Sequence, residues 1–225
     1  MNVKHIFFDL DHTLWDFDKN STLAFHQIFK EQHILLEVNS FTDVYRPINL
    51  KYWKLYREDK ISKSALKFDR LKEVFDAFDY EVNGDFINLI SEKYIKYLSN
   101  YNYLLEGAVD ILEYLSKKYE LHIITNGYEE IQKNKLIKSG IEKYFNKIIT
   151  AESTGVKKPS SKVFEYALMR ANTTPKNSVM IGDSYEADVL GALNLGMYAI
   201  HFTSESKIEP RVLSVNKLIN LKEYL

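Results

Sequence analysis

The 225-residue chain contains no cysteine, which excludes disulfides, thiolate nucleophiles and cysteine-ligated zinc together. An excess of charge is missing as well. Thirty Lys and Arg stand against 31 Asp and Glu, for a net charge of −1, so bulk electrostatics draw the chain neither to a nucleic-acid polymer nor to a membrane surface. Any anion it binds must be held by local groups. No apolar run approaches the roughly 20 residues of a membrane helix. Met1 to Phe8 is too short for a secretory leader and is broken at once by Asp9 and Asp11, so a cytoplasmic location is expected. Internal repeats and low-complexity segments are absent. The six histidines form no metal-type pair at helical spacing; His26 and His33, for instance, lie seven positions apart.

What is present suits one core domain with a smaller one inserted. Hydrophobic residues make up 45% and charged residues 27%, ordinary proportions for a globular chain. With 16 Tyr and 13 Phe there are rings enough for a core and for a binding cleft. Val3 to Phe8 reads as a buried strand ending at Asp9. Further strands are predicted at Leu121 to Ile124, Lys147 to Thr150, Ser178 to Ile181 and Met197 to Phe202, with a polar loop over Glu152 to Pro159. Between them lie helical patterns. Ala108 to Lys117 carries Val109, Leu112 and Leu115 at helical spacing. Glu129 to Ser139 is closed by Gly140, Ser161 to Ala171 follows a candidate capping residue, Ser160, and Glu186 to Leu195 stops at Gly196.

Strand–helix alternation predicts an α/β fold: a Rossmann-like, doubly wound parallel sheet. From Trp15 to Asn100 no strand pattern occurs. Amphipathic helices are predicted over Ser21 to Gln32, Phe41 to Arg57, Ser62 to Phe78 and Gly84 to Leu98. The expected organisation is therefore a core domain of residues 1–14 and 101–225 with an all-helical cap of residues 15–100 inserted between its first and second strands.

In open parallel sheets, ligands bind beyond the carboxyl ends of the strands. Four such ends carry polar clusters: Asp9-Leu10-Asp11-His12-Thr13, Thr125-Asn126, Lys158-Pro159, and Gly182-Asp183 with Asp188 just after. Each has a bland reading by itself. Asp9 and Asp11 suit a turn, Thr125-Asn126-Gly127 a strand-to-helix turn, Lys158 a solvated surface, and Asp183 with Asp188 the start of a helix. Their order along the chain argues for more.

Taken together, the four resemble the motifs of the haloacid dehalogenase-type phosphatase superfamily: D-x-D-x-T, a Thr motif, a lysine before proline, and G-D-x-x-x-x-D. The likeness covers essentially the whole chain, inserted helical cap included. It implies a Mg2+-dependent phosphatase acting on a small-molecule phosphomonoester. Asp9 would be the nucleophile, forming an aspartyl-phosphate, and Asp11 the general acid and then base. Thr125 and Asn126 would hold the phosphoryl oxygens and Lys158 would add a cation. Lys157 is set aside because the superfamily's lysine directly precedes the proline. The metal ligands implied are Asp9, Asp183 and the Asp11 backbone carbonyl, with Asp188 orienting a metal-bound water from outside. His12, between the two carboxylates, is expected to line the cleft.

Within the superfamily, the run from Phe8 to Phe17, Ile124-Thr125-Asn126-Gly127 and Gly182-Asp183-Ser184 resemble the pyrimidine 5′-nucleotidase-type branch, which implies nucleoside 5′-monophosphates as substrates. Two features depart from it. Ser160-Ser161 replaces the common acidic-proline pair, and the cap is only loosely similar. Asn49 to Arg57, with Tyr52, Trp53 and Tyr56, offers an aromatic slot for a base; Asn49 or Arg57 would equally serve a sugar-phosphate or sugar-acid-phosphate substrate. Asp11 argues against a dehalogenase, whose ester intermediate needs no such acid. A phosphomutase would keep both carboxylates, whereas a non-catalytic ligand-binding regulator would be expected to have lost Asp9 or Asp183.

Overall fold

The computed structural model describes residues 2–204 and 212–225. It is a six-stranded sheet with helices on both faces, interrupted by a helical insertion. The strands are β1 (His5–Phe8), β2 (Glu120–Thr125), β3 (Phe145–Thr150), β4 (Ser178–Gly182), β5 (Tyr198–Phe202) and β6 (Leu213–Val215). They lie in the order β3-β2-β1-β4-β5-β6, and every neighbouring pair is parallel. β1 therefore sits at the centre, and the chain winds outward from it in both directions, as a doubly wound sheet requires.

The burial explains why short apolar runs became strands. Phe7, Ile124, Ile149 and Met180 pack with Val163, Phe164, Ala167 and Leu168 of a helix spanning Ser161–Arg170 and with Ala192. Their neighbours Ile6, Phe8, Ile123 and Ile181 turn to the opposite face and are also fully buried. With both faces covered, the strands read as continuous apolar runs and not as alternating ones.

Two expectations need correction, and one strand was not foreseen. Ser160 precedes the Ser161–Arg170 helix, but its side chain makes no capping bond; its amide instead donates to the Lys157 carbonyl at 2.9 Å. The polar stretch after β3 opens with a helical turn, Ala151–Thr154, capped reciprocally by Thr150 and Ser153. The sixth strand, β6, is three residues long, too short to show any periodicity in sequence.

The described residues divide into two compact units, Phe17–Tyr101 and the chain on either side of it. The inserted unit is all-helical: α1 (Phe17–Gln32), α2 (Val38–Arg57), α3 (Lys63–Ala77) and α4 (Gly84–Leu98). Glu37, Ser62 and Asn83 cap the last three through their side chains. Its core is aromatic, with the Phe25 ring 5.0 Å from Phe41, 4.9 Å from Tyr45 and 4.6 Å from Tyr94. Asn49 belongs to this interior: its Oδ1 accepts from Arg70 at 2.7 Å and from the Tyr45 hydroxyl at 3.3 Å. Trp53 and Tyr56 are half-buried on α2 and meet edge to face, 5.8 Å apart. No helix among the described residues is long and apolar enough to cross a membrane.

Candidate active site

The site builds up from the carboxyl end of β1. Beyond Phe8 the chain cannot continue as a strand, because the Leu10 carbonyl accepts the amides of Thr13, Leu14 and Trp15. His12 takes φ +62° within this turn. The half-buried His12 hydrogen-bonds through its amide to the Trp15 carbonyl at 3.0 Å. In a strand, positions 9 and 11 would share a face; this turn sends their carboxylates to different partners.

Asp9 stays against the sheet, its amide donating to Ile181 O. Its Oδ1 lies 2.6 Å from Lys158 Nζ. Lys158, almost wholly buried, is also 2.6 Å from Asp188 Oδ1 and donates to the Ile124 carbonyl of β2 at 2.7 Å. One ammonium thus joins the ends of β1 and β2 to the segment after β4. The backbone of Lys158 is clamped in turn by Asn126, whose Oδ1 accepts the Lys158 amide at 2.8 Å and whose Nδ2 donates to the Lys158 carbonyl at 3.0 Å.

Asp183 and Asp188 complete an acidic cluster: Asp9, Asp183 and Asp188 each offer an oxygen within 4.8 Å of the others. Thr13 fixes Asp183, since its hydroxyl donates to Asp183 Oδ1 at 3.3 Å and accepts the Asp183 amide at 3.1 Å. Asp188 reaches back from a helical segment, Tyr185–Leu190, with turns wider than an α-helix, and its Oδ2 accepts the Ser184 amide at 3.0 Å. Gly182 is required here. A Cβ on it would stand 2.2 Å from Asp188 Oδ2, so only glycine lets that carboxylate fold over the strand end.

The electrostatics follow from burying like charges together. Burial pushes the Asp9 carboxyl up to about 7, with Lys158 opposing the rise and Asp188 adding to it. Asp183 is held well above the ordinary carboxylate range, first by burial, then by Asp9 and Asp188. Burial pulls the Lys158 ammonium down, but Asp188 and Asp9 outweigh it and hold its pKa above the usual lysine value. The cluster therefore carries more negative charge than one lysine relieves. Its oxygen-only donors fit a hard divalent cation.

Thr125, at the end of β2 and 2% exposed, uses its hydroxyl oxygen twice as an acceptor, from Gly127 N–H at 3.1 Å and from Gln132 Nε2 at 2.7 Å. With both lone pairs engaged, its O–H proton is left to donate. Asp11 faces the helix after β2, Glu129–Lys138: Oδ1 meets Lys135 Nζ at 2.6 Å and Oδ2 accepts from Gln132 Nε2 at 2.9 Å.

The structure thus brings together Asp9, Asp11, Thr125, Asn126, Lys158, Asp183 and Asp188, while His12 is anchored in the adjoining turn. Sequence reasoning passed over Thr13 as a partner of Asp183, and Gln132 and Lys135 altogether. One signal was available: residues 132, 135 and 136 share a helical face, and two polar residues accompany Leu136 on the face that is buried.

A parallel sheet whose strand ends gather carboxylates, a buried lysine and a donating threonine defines an α/β protein with a polar site beyond the carboxyl ends of its strands. Residues 6–202 match the haloacid dehalogenase-like hydrolase family, and the chain belongs to it. It is 34% identical to the pyrimidine 5′-nucleotidase PynA of Streptococcus pneumoniae over 93% of this chain and 90% of that one. A glyceraldehyde 3-phosphate phosphatase of Methanothermobacter thermautotrophicus is 32% identical, covering 90% and 87%. Among solved structures, the HAD-hydrolase YfnB of Bacillus subtilis bound to magnesium superposes with a TM-score of 0.90 at 29% identity, covering 99% and 98% of the two chains.

Proposed function

We propose that the protein is a Mg2+-dependent phosphomonoester hydrolase that works through an aspartyl-phosphate on Asp9 and acts on nucleoside 5′-monophosphates. The observation carrying this reading is the Lys158 ammonium 2.6 Å from Asp9 Oδ1, in a cluster where the Thr125 hydroxyl has only its proton left to give.

In the first step an Asp9 oxygen attacks phosphorus, the ester P–O bond breaks, and the departing oxygen takes a proton from Asp11. In the second, water attacks the phosphorus of the aspartyl-phosphate, passes a proton to Asp11, and inorganic phosphate leaves as Asp9 is regenerated. A carboxylate approaching a phosphate meets repulsion of roughly 4 kcal/mol per pair of unit charges at about 4 Å and an effective dielectric near 20. Lys158 offsets part of this. Thr125 donates to a phosphoryl oxygen, and Asn126 keeps Lys158 in place through its backbone. Asp9, Asp183 and the Asp11 carbonyl would hold Mg2+, with Asp188 behind them, and the bound ion would supply the remaining positive charge. The acidic cluster and the magnesium-bound YfnB structure support that assignment.

The nucleotide preference rests on the similarity to PynA; the similarity to a glyceraldehyde 3-phosphate phosphatase favours a sugar-phosphate substrate as the second reading. A panel of nucleoside monophosphates and sugar phosphates, ranked by kcat/KM with Mg2+ present, separates the two. Asp9→Asn should abolish hydrolysis of every member, and undiminished turnover by that variant would remove the covalent mechanism.

A further inference from the structure

Two residues of the Glu129–Lys138 helix, neither with a role in the scheme above, hold the carboxylate that the scheme relies on. Lys135 and Gln132 are buried, at 2% and 0% exposure, although their types are ordinarily solvated. Three apart on a helix, they project from one face. Lys135 Nζ lies 2.6 Å from Asp11 Oδ1 and 4.3 Å from the centre of the Trp15 ring. Gln132 Nε2 donates both to Asp11 Oδ2 at 2.9 Å and to Thr125 Oγ1 at 2.7 Å. A single amide therefore spans the two groups assigned to opposite ends of the breaking bond. Space for that bridge comes from Gly127, where a Cβ would sit 2.4 Å from Gln132 Cδ.

We propose that Lys135 and Gln132 are positioning residues for phosphoryl transfer, pinning Asp11 and keeping it in register with the Thr125 hydroxyl. The inference rests on Asp11 being the acid and base of the reaction. Asp11 lies in a turn beyond its strand, with its side chain 24% exposed, and two side-chain torsions would otherwise let the carboxylate swing. Proton transfer needs the oxygen within about 2.6–3.2 Å of the departing atom. Lys135 on Oδ1 and Gln132 on Oδ2 restrict that swing.

The test compares two esters on the whole chain with Mg2+. One is a nucleoside monophosphate, whose alkoxide needs a proton to depart; the other is dinitrophenyl phosphate, whose phenolate leaves without one. The quantity read is kcat/KM, which ends at departure of the leaving group. Lys135→Met should lower it about 10- to 100-fold on the alkyl ester, a share of what general acid catalysis supplies, and leave it within about threefold on the aryl ester; Gln132→Met, which also loosens Thr125, should cost clearly more on the alkyl ester than on the aryl one. In an Asp11→Asn background, Lys135→Met should bring little further loss, because the group it positions is gone. Equal losses on both esters, or full additivity with Asp11→Asn, would overturn the positioning role. So would failure of both single variants to fold, which would assign the pair to stability. A wild type inactive on both esters would remove the underlying phosphatase reading; an active wild type with equally impaired variants removes only this inference.

Discussion

The Thr13 hydroxyl and Asp183 hold each other by two bonds, 3.3 Å to Asp183 Oδ1 and 3.1 Å from its amide, across 170 residues of chain. That pair ties the turn after β1 to the end of β4 and gives the threonine of the first motif a physical task. It sets the direction of the Asp183 carboxylate.

Thr13→Val keeps the shape and removes both bonds. The Asp183 amide would be left unpaired, costing about 1–3 kcal/mol. Loss of an outer partner of a metal-binding carboxylate lowers metal affinity by about 10- to 100-fold. The expected result is a folded variant needing that much more Mg2+ for half-maximal hydrolysis of an aryl phosphate. An unchanged Mg2+ requirement would show that Asp183 needs no such guide.

Gly182→Ala places a methyl on Asp188 Oδ2. The carboxylate or the strand end has to move, at about 1–3 kcal/mol. Urea unfolding should give a lower midpoint, with activity falling further than stability does because the acidic cluster is displaced. A variant as active as wild type would mean that Asp188 yields without consequence.

Metal should stabilise the fold, and more so at higher pH. With the Asp9 carboxyl raised to about 7 from 3.8, the folded state binds this proton more tightly than the unfolded one. That contribution is fully present below 3.8 and is lost as pH rises through about 7. Above it, the ionised cluster lacks compensation, which a bound divalent cation would supply. The rise in Tm on adding Mg2+ should therefore be larger near about pH 8 than near about pH 5.5. Equal shifts at both would detach the metal from these carboxylates.

A second pH effect comes from the opposite end of the strands. His5 Nδ1 and His122 Nε2 lie 3.1 Å apart, and the His122 ring stacks on Phe7 at 4.7 Å. Burial, then His5 and Lys147, lowers His122 to about 4. A depressed histidine stays neutral in the folded state while the unfolded chain takes up a proton. Stability is therefore lost as pH falls from 6.5 towards about 4, by on the order of 2 kcal/mol. His122→Phe keeps the stacking and should flatten the dependence of Tm on pH in that window; an unaltered slope would place its origin elsewhere.

The strands β1 to β5 and the helical insertion were readable because burial on both faces, or on one stripe, writes itself into hydrophobic pattern. Asp9, Thr125 and Asp183 could be picked out because each follows such a run directly. β6 was too short to leave a pattern. Gln132 and Lys135 looked like solvated residues of a charged helix, and nothing near them in the chain names Asp11 as their partner. The His5–His122 pair was hidden in the same way. A search for helical spacing cannot find two rings on adjacent strands 117 positions apart.

Hydrophobic period determined by itself the α/β class and the helical insertion, since that feature is local and recurs along the chain, and the family was legible in the resemblance of four polar clusters to its motifs. Only the tertiary structure decided that Lys158 stands between Asp9 and Asp188, that Thr125 keeps a proton to donate, and that Asp11 turns to the Glu129–Lys138 helix. Each of these depends on distances between segments far apart in sequence, and in a packed interior the orientation of a polar side chain is set by whichever group, brought near by the fold, meets its hydrogen-bonding need.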